Sequence, residues 1–244
     1  MSAAIHPRER DVQIMFDRIA ARYDLLNHVI SFRLDTRWRR QAIQSILTGA
    51  NPLIVDLGTG TGDLACAAAR IAGAKARVVG LDLSMQMLRL AQQKRTDARL
   101  AANTNFIQAS ALQAPFASAV FDGAMSAFVL RNVADLPCFF AEAFRLLRPG
   151  GRLVSLDMYP PSGGWFRALY AVYFFRLMPI VAGLLSSDHK AYRYLSDSVR
   201  QFHAPETVAE LMQKAGFVEV TMEKFLRGAV CMHVGKKSVA SAPA

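Results

Sequence analysis

Residues Leu53 to Arg70, LIVDLGTGTGDLACAAAR, constrain the fold more than any other stretch of this chain. A short apolar run reaches Asp56, glycines alternate at Gly58, Gly60 and Gly62, and an alanine-rich helical stretch follows at once. Glycines at that spacing allow a sharp turn and leave the backbone bare, so that something else can approach it closely. A strand, a bare turn and a helix start make up a βα unit of an open α/β sheet. Ligands of such sheets sit beyond the carboxyl ends of the strands, against the helix N-terminus.

The alternation continues downstream. Strand-like runs PLIVDLG, ARVVGLDLS, NFIQAS, FDGAMSAF and GRLVSLDMY are separated by helical stretches at 63–72, 85–98 and 136–147. The third link, ALQAPFASAV, offers little helix, and RPGG at Arg148 to Gly151 stops a helix before the fifth strand. Strands alternating with helices imply right-handed βαβ units and a mostly parallel sheet. Past a long insertion, APETVAELMQKAGF reads as a helix with Pro205 in its first turn and Gly216 at its end; FVEVTMEKFL and AVCMHVGKK then read as a closing antiparallel hairpin. At the other end, Val12, Phe16, Ile19, Tyr23, Leu26 and Ile30 step by four and three, one apolar stripe on a helix or helix pair that needs a surface to cover.

The expected architecture is therefore α/β and Rossmann-like. An N-terminal helical cover (1–48) lies over an α/β core (49–160), followed by an apolar helical insertion (161–200), a helix and strands completing a seven-stranded sheet (201–237) and a tail (238–244). With 244 residues, 52% of them hydrophobic, the chain can bury one substantial core.

The turn also discriminates between ligands. The dinucleotide fingerprint G-x-G-x-x-G is not met: three residues after Gly60 stands Asp63, a negative charge at a helix start where a pyrophosphate needs none. A cationic or zwitterionic nucleoside suits the turn better, with Asp56 and Asp63 orienting an ammonium end while the glycine backbone meets a ribose. S-adenosylmethionine is such a ligand. Asp82 ends the second strand, where a carboxylate can accept from two adjacent ribose hydroxyls; its alternative task is to cap the helix beginning near Met85, which Ser84 can also do.

Composition narrows the setting. Cys66, Cys138 and Cys231 form no CxxC pair and have no histidine at ligand spacing, so no metal is expected. The N-terminal MSAAIHPRERDVQ has no apolar run behind its charges, which points to a cytoplasmic protein rather than a secreted one. The net charge of +10 favours an anionic partner. Arg33, Arg37, Arg39 and Arg40 cluster in RLDTRWRR without the aromatic-plus-basic pattern of an RNA-binding module, so a membrane surface ranks above nucleic acid, and no nucleic-acid partner is expected.

From about Phe16 to Lys236 the chain resembles the class I methyltransferases, and among them the ubiquinone/menaquinone C-methyltransferases. The resemblance rests on FDRIAARYDLLNHVISFRLDTRWRR, DLGTGTGDL, LRNVAD, LRPGGRLV, YRYLSDSVRQF and GAVCMHVGKK, in that order and spacing. It implies methyl transfer from S-adenosylmethionine to a ring carbon of a prenylated quinol. It also implies a cofactor shell of Thr61 in the glycine turn, Asp82 on the ribose, and Ser110 with Ala111 near the adenine. The family usually has Asp or Asn at Ser110, a serine beside the cofactor at Ala127, a glycine at Val129 and LEFSKP at LDMYPP.

Methylating a ring carbon requires alignment, a dry pocket and removal of a phenol proton. Arg131 and Asn132, after the fourth strand, and Tyr23, on the covering segment, are the expected groups to position the quinol oxygens, with Arg131 stabilising a phenolate or polarising a water. Tyr23 can equally be core packing, and Asn132 a helix cap. His233, in the last apolar strand, is either a hydrogen-bonded core histidine or a general base. The insertion GGWFRALYAVYFFRLMPIVAGLL is interrupted by Arg167, Arg176 and Pro179, which argues against a transmembrane helix. Residues 165–185 are expected to form an isoprenoid-tail channel or lid, with arginines at headgroup level if the segment touches a bilayer at the inner face of the membrane. Domain core and a homodimer interface are alternatives. Two other functions stand beside quinol methylation: methylation of another lipophilic acceptor by the same fold, and a non-catalytic cofactor-binding assembly protein.

Overall fold

The computed structural model describes residues 7–100, 102–161, 163–177 and 189–239. Its strands are β1 (Leu53–Leu57), β2 (Arg77–Asp82), β3 (Thr104–Gln108), β4 (Phe121–Ala127), β5 (Leu147–Met158), β6 (Phe217–Phe225) and β7 (Val230–Lys237). They form one sheet in the order β3-β2-β1-β4-β5-β7-β6. β1 to β5 run parallel, and β7 pairs antiparallel with both β5 and β6. The order reverses between β1 and β4, and in such sheets the crevice at that reversal takes the ligand.

Helices cover both faces, which is why the central strands read as unbroken apolar runs rather than as alternations. Val55, Leu57, Ala124 and Leu153 pack with Phe139, Phe140 and Ala143 of α5 (Leu136–Leu146) and with Val208 and Met212 of the helix Pro205–Lys214. Their strand neighbours Ile54, Met125 and Val154 face the other way, onto Trp38, Ala42, Ile43 and Ile46 of α2 (Asp35–Ile46) and Leu64 and Ala68 of α3 (Asp63–Ala72). Each fully buried aliphatic or aromatic side chain contributes roughly 1.5–3 kcal/mol.

Three expectations are refined. The N-terminal stripe lies on a single helix, α1 (Pro7–Ile30), and the arginine-rich segment after it forms α2, whose Arg39 is buried while Arg33, Arg37 and Arg40 are exposed. RPGG does not precede the fifth strand: β5 begins at Leu147 and carries these residues inside it, where its pairing with β4 shifts register between Phe121 and Gly123. The third link contains no helix, as its composition predicts. α4 spans Met85–Asp97, capped by the Ser84 hydroxyl, which accepts from Met87 N at 3.1 Å.

The insertion begins as α6 (Gly164–Val172), widens into a π-helical turn at Tyr173–Leu177 and returns as α7 (His189–Arg200), leaving the helix Pro205–Lys214 as α8. Residues 178–185 of the expected channel segment lie outside the described residues. Tyr170, Phe174, Val199 and Ala229 form a small separate core in which the insertion packs on the β6–β7 end of the sheet. Among the described residues, no helix is long and apolar enough to cross a membrane.

Candidate active site

The turn after β1 holds two different kinds of glycine. Gly58 has φ +76°, and a Cβ there would lie 2.6 Å from Val129 Cγ1, so this position is required by packing. Gly60 has φ +55° and nothing within 4 Å of the corresponding position; its N–H donates to Asp82 Oδ2 at 2.8 Å. The bare backbone at Gly60 thus opens onto free space, with a carboxylate fixed beside it. Asp82 Oδ1 accepts from Ser84 N at 2.8 Å, so backbone donors at two points hold this carboxyl in place. Burial raises its pKa, and those donors pull the other way.

The space is a cavity of about 100 Å³ between the strand ends and α1. Gly60, Asp82, Ala111 and Val129 form its floor, and Phe16 and Tyr23 its roof. Phe16 and Tyr23, two turns apart, meet edge to face at 5.7 Å. Among the described residues, the charged side chains that line the cavity, Glu9 and Asp82, are both acidic. Such a wall attracts a cation and repels a phosphate.

Several residues expected around the ligand serve the cover instead. The Thr61 hydroxyl donates to Asp24 Oδ1 at 2.5 Å and accepts from Lys94 Nζ at 3.0 Å, and Lys94 also pairs with Asp24 at 2.6 Å and with Asp63. Asp63 is thereby held by Lys94, which it shares with Asp24, rather than aimed into the cavity. Ser110 Oγ donates to Glu9 Oε1 at 2.6 Å, and Ser84 Oγ donates to Asp17 Oδ1 at 2.5 Å. Three carboxylates of α1 therefore tie the cover to hydroxyls of the core. Asp56 is buried beneath the turn, where its Oδ2 accepts from Thr59 Oγ1 at 2.7 Å and burial pushes its pKa up to about 7. Asp56, Thr61, Gly62, Ser110 and Ala127 do not line the cavity, whereas Gly58, Gly60, Asp82 and Ala111 do. Gly62 is instead packed against Ala91 and Phe106.

A second, larger cavity of about 350 Å³ lies on the other side of Phe128, which lines both. Its walls are apolar and aromatic, among them Ile30, Trp38, Phe166, Tyr170 and Phe174. Phe128 has φ +64°, rare for a residue with a side chain. Its N–H donates to Leu156 O at 2.7 Å, and its carbonyl accepts from Arg131 Nη1 at 2.8 Å and Asn132 Nδ2 at 3.3 Å. The Arg39 guanidinium lies 5.1 Å from its ring centroid, close enough for a cation–π contact.

Arg131 and Asn132 share a 3₁₀ turn (Leu130–Asn132) yet open onto different cavities, Arg131 onto the larger and Asn132 onto the smaller with Tyr23. Arg131 Nη1 also donates to Asp157 Oδ1 at 2.7 Å, in a pair almost closed to solvent. Arg131 Nε and Asn132 Oδ1 are buried without a hydrogen-bond partner among the described residues. Such atoms are available to a ligand. Burial raises the Tyr23 pKa, opposed chiefly by the charge of Arg131.

His233 is placed away from both cavities, in the surroundings of the core-histidine alternative. It is fully buried on β7, lines neither cavity, and its Nε2 donates to Pro205 O at 2.9 Å at the start of α8. Burial lowers its pKa, keeping it neutral. Phe128 and the α1 carboxylates are the functional groups that sequence reasoning missed. The repeat of Phe16-Asp17 as Tyr23-Asp24 seven residues later was the available signal, since it puts both aromatics on one face and both acids on an adjacent one.

Comparison with known proteins identifies the family. Residues 5–237 match the model of the ubiE/COQ5 methyltransferase family. A demethylmenaquinone methyltransferase of Thermus thermophilus is 45% identical over 223 residues, covering 91% of this chain and 100% of the relative. A ubiquinone/menaquinone biosynthesis C-methyltransferase of Shewanella piezotolerans is 36% identical, covering 91% of this chain and 89% of the relative. The fold is shared with an S-adenosylmethionine-dependent methyltransferase of Thermotoga maritima, with a TM-score of 0.64 at 20% identity over 93% of this chain and 99% of that one.

Proposed function

The chain belongs to the ubiE/COQ5 methyltransferase family, and from that premise we propose that it moves a methyl group from S-adenosylmethionine to a ring carbon of a prenylated quinol, a step of respiratory quinone biosynthesis. The observation that carries the reading is the pair of unlike cavities meeting at Phe128: a small acidic one over a bare glycine turn, and a large apolar one. The residues around the first suit S-adenosylmethionine in chemistry, with Asp82 to hold the ribose hydroxyls, the bare Gly60 backbone to meet the sugar, and acidic side chains for a cationic ligand. The second fits a ring with an isoprenoid tail. The acceptor is a membrane lipid, so the enzyme works in peripheral contact with the bilayer that holds it.

S-adenosylmethionine, when bound, supplies an electrophilic methyl group on a sulfonium. The protein supplies alignment and a dry environment. Arg131, kept cationic and fixed by Asp157, stabilises the phenolate that makes the ring carbon nucleophilic. Asn132 and Tyr23 position the acceptor from the cofactor side, and Phe128 sets the distance between the two ligands.

The test is anaerobic incubation of the protein and methyl-labelled S-adenosylmethionine with chemically reduced demethylmenaquinol or a demethylated ubiquinol precursor, read by mass spectrometry. A labelled methyl on either ring names the substrate. Neither ring labelled, with cofactor binding confirmed, would overturn the quinol reading.

A further inference from the structure

Among the described residues, three separated segments at the edge of the larger cavity share one character. On α6, Trp165, Leu169 and Val172 recur at i, i+4 and i+7 and are 66%, 56% and 53% exposed, while Tyr170 on the opposite side is buried. A helix on a water-facing surface carries polar residues along such a stripe. Phe32, 72% exposed at the end of α1, stacks on Tyr173 at 5.5 Å, and the Arg227 guanidinium lies 5.3 Å from the Trp165 ring centroid. These contacts join the three segments into one patch, and Phe32, Leu169 and Leu226 line the cavity itself.

Two of the segments hold an unusual backbone. Phe32 and Arg33 have φ +50° and +61°, and Leu226 and Arg227 have φ +45° and +53°. Each left-handed pair presents an apolar side chain followed by an arginine at the rim, a conformation that residues other than glycine rarely adopt. Such departures concentrate where a surface has work to do. Every charged residue in 31–34, 163–177 and 226–229 is an arginine, namely Arg33, Arg167, Arg176 and Arg227, and all four are exposed.

We propose that this rim is a docking face for an anionic phospholipid surface, with Phe32, Trp165, Leu169 and Leu226 entering the acyl boundary and the four arginines meeting lipid phosphates. Apolar tips ringed by cations are the pattern of interfacial binding, in which arginine stems lie along apolar surface while the heads stay at the phosphates. A second copy fits poorly, because a two-fold contact would set the same arginines against one another. The face surrounds the mouth of the apolar cavity, so a lipid-soluble acceptor passes from bilayer to site without crossing water. That last step rests on the quinol reading; the docking does not.

Sedimentation with vesicles of phosphatidylcholine, or of equimolar phosphatidylcholine and phosphatidylglycerol, tests the docking without any acceptor. Wild type is expected to pellet with the anionic vesicles, to be released by salt, and to lose about tenfold in partitioning on the change Trp165→Asp/Val172→Asp, at two exposed positions of the stripe that do not line the cavity, with unchanged circular dichroism. Wild type left in the supernatant of anionic vesicles, or a double variant that binds as wild type does, would overturn it. So would a dimer in solution that the same change converts to a monomer. Labelling of a short-tailed, water-soluble quinol analogue by the double variant at the wild-type rate would confine its defect to the surface, and no labelling by either protein would count against the quinol reading alone.

Discussion

Arg131 donates to Asp157 across 2.7 Å with almost no solvent on either side chain. Desolvation lowers the Arg131 pKa, but the charge and hydrogen bond of Asp157, joined by Tyr23 and Tyr194, together outweigh it and hold the guanidinium above its ordinary range. Removing one partner strands the other as a buried charge, so Arg131→Ala is expected to lose about 3–5 kcal/mol of stability by urea unfolding. Arg131→Met/Asp157→Leu should recover most of that stability yet remain slower in methyl transfer by about a hundredfold or more, because the phenolate partner is gone. If the folded double variant methylates within a few-fold of wild type, Arg131 has no catalytic role.

Phe128 is the wall shared by the two cavities, and its φ of +64° is paid for by the hydrogen bonds at both ends of the residue. Phe128→Gly relieves the backbone and removes the ring. Losing the ring costs about 3–5 kcal/mol and the relief returns about 1, so a net loss of roughly 2–4 kcal/mol is expected. With the partition gone, kcat should fall more than tenfold while cofactor affinity, measured by calorimetry, stays within a few-fold. An unchanged kcat would remove Phe128 from the alignment of the ligands.

The cover is held by Asp17 on Ser84 and Asp24 on Thr61 and Lys94. Asp17→Ala/Asp24→Ala is expected to speed amide exchange along α1 while leaving the strands protected, and to raise the KM for S-adenosylmethionine several-fold through a looser roof. Exchange in α1 equal to wild type would show that these carboxylates do not hold the helix down.

Much of the fold was legible because buried parallel strands keep apolar runs that glycine turns punctuate, and the glycine turn itself located the crevice. What was hidden depends on partners far apart in sequence. Arg39 reads as one more exposed arginine in RLDTRWRR, but it is buried between Asp35, 3.5 Å away, and the ring of Phe128. Thr61 and Ser110 stand where a cofactor contact would be, and carboxylates 37 and 101 residues away take their hydroxyls. His233 looks the same in sequence whether its neighbour is a ligand or the carbonyl of Pro205. Local pattern records burial and turns, whereas the pairing of polar groups is decided only once the chain has closed.

Asp56 makes stability fall with rising pH. Its folded pKa, raised by burial to about 7, exceeds the roughly 3.9 of an unfolded carboxyl, so between those values the unfolded chain releases a proton that the folded one keeps. The slope is at most about 1.4 kcal/mol per pH unit. Asp56→Asn removes this dependence and should gain on wild type from about pH 5 to about pH 8 in unfolding free energy. A constant difference across that range would mean that Asp56 is ionised throughout.

His233 carries the opposite dependence and separates a core histidine from a base. Its folded pKa is lowered, so its contribution to stability is complete above the unfolded value near 6.5 and is lost as pH falls below it, where the unfolded chain binds the extra proton. His233→Gln keeps a donor in reach of Pro205 O but has no titrating ring, and should flatten the loss of stability on acidification. Because the ring lines neither cavity, the pH–rate profile of methyl transfer should superimpose on that of wild type. A variant whose profile loses a limb near neutral pH, with stability intact, would return His233 to the chemistry despite its 2.9 Å bond to the backbone.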